Sequence, residues 1–178
     1  MLEGFKPGEE CAVCQGKCCK EHGCVLAPED FFKDTSFLEI QQDEYALKEY
    51  VLERLKKENL HAIDQSSHGQ GTGYYIRMRH KCYTFIGVDA LGECIALGED
   101  GCSLSYDDRP KGGRMLKSEP NFSCHQEYGI DEVLEDWKPY RNILESIWNE
   151  YEPKFQEDGT FDRCDANYFE WLRNKSGR

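Results

Sequence analysis

The chain has 178 residues, a formal net charge of −12 and ten cysteines. That length suits one domain with a real apolar core, so cysteines are not needed merely to rescue a tiny fold. The acidic excess argues against nucleic acid or an anionic membrane surface as partner.

The opening residues, MLEGFKPGEE, lack an apolar core flanked by positive charge, so they do not read as a secretory signal. No apolar run is long enough to span a bilayer. The expectation is a cytoplasmic protein in a reducing compartment, with no membrane partner. There, cysteines read as metal ligands or redox groups before they read as disulfides.

In chain order, residues 1–27 form a cysteine-rich, glycine-bearing loop region. Pro28 opens a short helix, PEDFFKD, with Glu29 and Asp30 at its positive end. A longer helix is predicted from about Ser36 to Asn59. Its apolar stripe is Leu47, Tyr50, Val51 and Leu55, with Glu44–Lys48 and Glu53–Lys57 spaced for pairs on its wet face. HAIDQ reads as a weak strand and SSHGQGTG as a turn. In GYYIRMRHKCYTF, Tyr74, Ile76 and Met78 alternate with Tyr75, Arg77 and Arg79.

GECIAL and GCSL are short strand or loop pieces, and RPKGGR breaks the chain again. A helix is predicted from Ile130 to Lys138, interrupted or restarted at Pro139. Tyr140, Ile143, Leu144, Ile147, Trp148 and Tyr151 then mark a strongly amphipathic helix that Pro153 ends. DANYFEWLR is a candidate last helix. The fold class expected is α+β: a small antiparallel sheet flanked by N-terminal and C-terminal helices, with cysteine-rich metal-binding loops. The whole chain, 1–178, reads as a single domain. Its parts are the loop at 1–27, helices at 28–60, sheet and second cysteine group at 61–125, and helical tail at 126–178.

The chemistry lies in the cysteines. The first cluster is Cys11-x2-Cys14-x3-Cys18-Cys19, with Cys24 following. A C-x2-C pair lets two sulfurs converge on one ion, and the glycine in QGK helps the chain curl back. Zinc takes four such ligands in a tetrahedron, with Zn–S about 2.3 Å. An iron–sulfur cluster also takes four, usually from a short run plus remote residues. Cys18 and Cys19 are adjacent, so they serve two metals, or one ligates and the other packs.

Cys94, Cys102 and Cys124 form a second group that completes what the first run does not close. Metal binding would then become folding energy. Cys24 reads equally as a ligand or a buried thiol. Cys82 and Cys164 sit among aromatics and read as packing residues. His22, His80 and His125 lie near cysteines and are alternative zinc ligands, but a place on the surface or beside the ligands is the favoured reading, since a soft site prefers thiolate; His61 and His68 carry no signal.

Cysteines in C-x2-C-x3-C-C spacing, followed by C-x-x-L, G-C-S-L and R-P…R, resemble the YkgJ-type cysteine-cluster family, described as zinc- or iron-chelating. The likeness runs in pieces from Cys11 to about Cys124. It implies a metal ion as partner, with zinc and an iron–sulfur cluster both open. The candidate metal ligands, from the two cysteine groups together, are Cys11, Cys14, Cys18, Cys19, Cys24, Cys94, Cys102 and Cys124. Many family members carry a cysteine where this chain has Gly113, before Arg114, so either Cys124 takes that role or the site has one ligand fewer. Over the cysteine motif the family is similar to flagellin lysine-N-methylases, an analogy of module and not of activity.

Arg109 and Arg114 are expected to offset thiolate charge or brace the loop. Arg77 and Arg79, with Tyr75, are expected to make cross-strand ion pairs rather than an anion site. The sequence carries no nucleophile elbow, phosphate loop or dinucleotide fingerprint, and no catalytic residue is assigned. Three functions are therefore open: a metal-binding protein, an iron–sulfur redox or modification component, and an exported disulfide protein.

Overall fold

The computed structural model describes residues 16, 18–20, 23–33, 40–67, 71–81, 86, 92–99, 101–118 and 124–151. The elements in order are a 3-10 turn at Cys18–Lys20, α1 at Pro28–Phe31, α2 at Glu44–Glu58, β1 at His61–Ser67 and β2 at Thr72–Met78. There follow β3 at Leu97–Gly98, β4 at Gly101–Cys102, α3 at Lys111–Arg114, β5 at Leu116–Ser118 and β6 at Cys124–Gln126. Helix α4 at Ile130–Trp137 leads through a 3-10 turn at Lys138–Tyr140 into α5 at Arg141–Tyr151. The class is α+β, with mixed helices and small antiparallel sheets.

The long first helix starts later than Ser36. Asp43 caps it by accepting the Ala46 N–H at 3.0 Å, which fixes the first turn at Glu44. Asn59 ends it in the left-handed region, with φ 52°. Leu47, Val51, Leu52 and Leu55 are its buried stripe. Lys48 does not turn back to Glu44; its Nζ reaches Glu150 at 2.8 Å and Ser146 Oγ at 2.9 Å on α5. The i,i+4 pair on α2 is Arg54 with Glu58, at 3.1 Å.

HAIDQ is stronger than its sequence suggests. Residues 61–67 pair with 72–78 along their whole length, from His61 opposite Met78 to Ser67 opposite Thr72. A single small sheet was the expectation; among the described residues there are three two-stranded ladders. The β1–β2 ladder is widened by bridges of Val25 to Arg77 and Ile63 to Ile86.

Both faces of β2 are buried from Tyr74 to Met78, so the Tyr75–Arg77–Arg79 face is not a wet one. Helices α4 and α5 both pack on β2. Tyr74 meets Trp148 of α5 with ring centroids 5.9 Å apart. Trp137 is fully buried, and its indole N–H donates to the Leu26 carbonyl at 2.7 Å. Phe31, Phe32 and Tyr140 surround it. RPKGGR is not simply a break: it holds the single turn of α3, with Pro110 just before it. No helix among the described residues is long and apolar enough to cross a membrane. The expected helix near 165–173 and the end at Pro153 lie outside the described residues.

Candidate metal centre

Four of the eight proposed ligand side chains are described: Cys19 and Cys94, buried, and Cys24 and Cys102, half-buried. Cys11 and Cys14 lie outside the described residues. Of Cys18 and Cys124 only the backbone is described, in the first 3-10 turn and at the start of β6.

Three segments bring the four thiols into one neighbourhood. Gly16, at φ +65°, starts the turn that carries Cys19, and Lys20 N–H closes it on the Gly16 carbonyl at 3.1 Å. A Cβ on Gly16 would stand 2.4 Å from Leu97 Cδ1, so this turn sits directly on the segment that follows Cys94. Cys24 lies on a short strand beside β2: the Met78 N–H donates to the Cys24 carbonyl at 2.8 Å and the Leu26 N–H to that of Ile76 at 2.9 Å. Gly23 must be small here, because a Cβ would come 2.2 Å from the Met78 carbonyl oxygen. Cys94 bridges to His80, and its N–H donates to the Cys19 carbonyl at 2.7 Å. Cys102 lies opposite Leu97 in the β3–β4 hairpin.

The thiols sense one another. The Cys94 sulfur accepts from the Cys19 thiol and from the Ala96 and Cys24 N–H groups. The Cys19 contact is the largest cause of a thiol pKa lowered to about 7. Burial opposes it, and the Arg77 charge assists. Cys102 moves the other way: burial is the first cause, the Leu104 N–H and Arg109 favour the thiolate, and Cys24 and Cys94 disfavour it. Partial thiolate character at neutral pH suits a metal ligand. The donor set is soft sulfur, with two arginines to offset its charge. Even so, among the described residues no three of His, Cys, Asp or Glu converge as a metal-holding group.

Arg77, Arg109 and Arg114 fill structural roles of the kind expected, while Arg79 is seen on a backbone carbonyl. Arg109 is buried, donates from Nε to the Leu104 carbonyl and acts on the charge of Cys102. Arg114 braces: one nitrogen donates to the Arg109 carbonyl and another to Asp30 Oδ1 at 3.0 Å. Arg77 makes the cross-strand pair, with Asp64 on β1, and Arg79 Nε donates to the Asn59 carbonyl at 2.8 Å.

His80 is buried, and its Nε2 accepts the Gly23 N–H at 3.2 Å. That nitrogen is committed to backbone rather than to metal. His125 is exposed on β6. His22, His68, Cys82 and Cys164 lie outside the described residues.

Comparison of the chain with family models, with curated proteins and with solved structures gives no match.

Asp30 has a role the sequence did not suggest. It is buried, and it accepts from the Ala27 N–H at 3.1 Å, the Lys111 N–H at 2.6 Å and Arg114. It thereby holds α3 against the strand that carries Cys24. A Cβ on Gly112 would stand 2.7 Å from the Val25 carbonyl oxygen, and one on Gly113 would stand 3.3 Å from Cys24 Sγ. Only the acidic pair after Pro28 hinted at this, and it reads as a helix-dipole feature.

Proposed function

We propose that this protein holds zinc or an iron–sulfur cluster through thiolates drawn from Cys11, Cys14, Cys18, Cys19, Cys24, Cys94, Cys102 and Cys124. The support that carries the reading is the contact of Cys94 with Cys19: the Cys94 N–H donates to the Cys19 carbonyl at 2.7 Å, and the Cys19 thiol lowers the Cys94 pKa. It links the N-terminal cysteine run to the second group, as a shared site requires. Backbone N–H groups aimed at sulfur stabilise thiolate without supplying a competing ligand. The spacing-based resemblance to the YkgJ-type family supports the same assignment, and the cysteine-rich segments are then its metal-binding loops.

The residues around the thiols do three things in this reading. Arg77 and Arg109 offset negative charge on Cys94 and Cys102. Asp30 and Arg114 hold α3 beside Cys24. Gly16 and Gly23 allow the close backbone approaches that bring Cys19 and Cys24 in. Zinc would supply a structural cross-link, and an iron–sulfur cluster would add one-electron redox chemistry.

The test is elemental analysis with a visible spectrum on anaerobically purified protein. Near-stoichiometric zinc, or iron with sulfide-to-iron absorption, is expected. Protein with neither metal would end this reading. Thiol titration after denaturation and metal removal separates it from the disulfide alternative, because the metal reading expects all ten cysteines reduced.

A further inference from the structure

Among the described thiols, Cys19 and Cys94 are the buried ones, 4 % and 3 % exposed, and both belong to the apolar core. They come from segments far apart in the chain, yet one backbone contact joins them directly: the Cys94 N–H donates to the Cys19 carbonyl at 2.7 Å. A backbone pair of this kind holds its Cα atoms about 5.5 Å apart, inside the span a disulfide bridges. The Cys19 side chain is also hydrogen-bonded to the Cys94 sulfur, so the two side chains turn toward each other. Both segments are anchored. The Lys20 N–H closes on the Gly16 carbonyl at 3.1 Å, and the Ile95 N–H donates to the Arg79 carbonyl at 2.8 Å.

The burial of the pair selects its oxidant. A bulky disulfide has no access to sulfurs this enclosed, whereas a peroxide is little larger than water. A bond between these two sulfurs would also join the N-terminal cysteine run to the second group, the same two parts that the proposed metal joins. One cross-link would then replace the other, and the loops would stay tied when the ion leaves.

We propose that Cys19 and Cys94 are a redox switch for the metal site: a peroxide closes them into a disulfide, and the metal is released. The release step rests on the metal reading above; the disulfide step rests on the contact of the two residues. In the metal-free pair, one sulfur attacks a peroxide oxygen and the O–O bond breaks, giving a sulfenic acid and one water. The second sulfur attacks the sulfenic sulfur, the S–S bond forms and a second water leaves. Two electrons pass from the sulfurs to the peroxide, and the two thiol protons end in the waters. From zinc thiolates, solvent supplies those two protons, and zinc departs as the divalent ion after losing two ligands.

The test treats full-length, anaerobically purified protein with one molar equivalent of hydrogen peroxide. Remaining thiols are blocked, and linked peptides are mapped by mass spectrometry without reduction, with fragmentation to tell Cys18 from Cys19. A chromophoric chelator follows released metal in the same samples. Cys19–Cys94 is expected to be about tenfold or more enriched over any other pair, because the fold gives these sulfurs a high effective concentration. Metal release should rise in step with it, and dithiothreitol should reverse the linkage. The same treatment in denaturant should instead favour near neighbours of the N-terminal run, since short loops close most readily. Metal-loaded protein that releases its metal without a Cys19–Cys94 bond, or with another pair dominant, would overturn the inference and leave the metal reading standing. Metal-free protein that still closed the bond would end the metal reading and the release step with it.

Discussion

In α2, α4 and α5 the buried side chains are Leu47, Val51, Leu52, Leu55, Val133, Trp137, Ile143, Leu144, Ile147 and Trp148. Between residues 92 and 118 they are Cys94, Ala96, Leu97, Arg109 and Pro110, with Gly92, Gly101, Gly112 and Gly113. The first region is held by apolar burial, which is non-directional and tolerates small shifts. The second is held by directional contacts: the Cys94 N–H to the Cys19 carbonyl, the Gly112 N–H to the Val25 carbonyl, and the Asp30 bonds to α3. The helices supply most of the large apolar side chains of a core that also takes in Cys94, Ala96 and Leu97. Loops of this kind gain most from an added cross-link, and that is where the thiols are.

Damage to the frame should be global. Trp137→Ala removes a fully buried indole and leaves the Leu26 carbonyl without its donor. A loss of about 4 kcal/mol in denaturant unfolding is expected, with or without metal. A loss that disappears when metal is bound would blur the distinction between the two regions.

Acid should strike beside the frame, at His61 on β1. His61 lies 5.6 Å from the Phe31 ring, and its pKa falls from 6.5 to about 4, first through burial and then through the Arg54 and Lys33 charges, with Asp30 opposing. The unfolded chain takes up this proton near pH 6.5, whereas the folded chain resists it until about 4. The neutral imidazole's contribution is therefore full above the unfolded value and is lost as pH falls through that window. It amounts to about 3 kcal/mol by pH 4. His61→Gln should flatten the slope of stability between pH 6.5 and 4; an unchanged slope would remove His61 from the account.

The loops should respond locally. Asp30→Asn keeps the shape and removes the charge that meets Arg114, for an expected loss of about 2 kcal/mol. Faster hydrogen exchange at Lys111 to Arg114 should accompany weaker metal retention, while the amides of α5 keep their protection. Protection lost equally in both places would mean that frame and loops unfold as one unit.

How much of this was legible in the sequence depended on the range of the interaction. Helix α5 was readable because Ile143, Leu144, Ile147 and Trp148 repeat along one stretch of chain. The start of α2 was misread because a local cap at Asp43 decides it, and the apolar pattern does not register a cap. Alternation along β2 shows that Tyr75, Arg77 and Arg79 share a face, and not that α4 covers it. Arg77 was nevertheless paired across the strands as expected, since β1 offers Asp64 within reach. Of the candidate site, the cysteines were visible as residues. The brace of α3 by Asp30 and the Cys24 N–H aimed at Cys94 were not, because each joins segments far apart in the chain.

The central claim is that thiolates in the loops bind a metal that ties the N-terminal run to the second cysteine group. Metal content per chain, measured anaerobically in the wild type and in Cys94→Ser, tests it most directly. The account predicts near-stoichiometric zinc or iron in the wild type and marked loss in the variant, with the α4–α5 frame still folded. A metal-free wild type with all ten thiols titratable in the native state would contradict it.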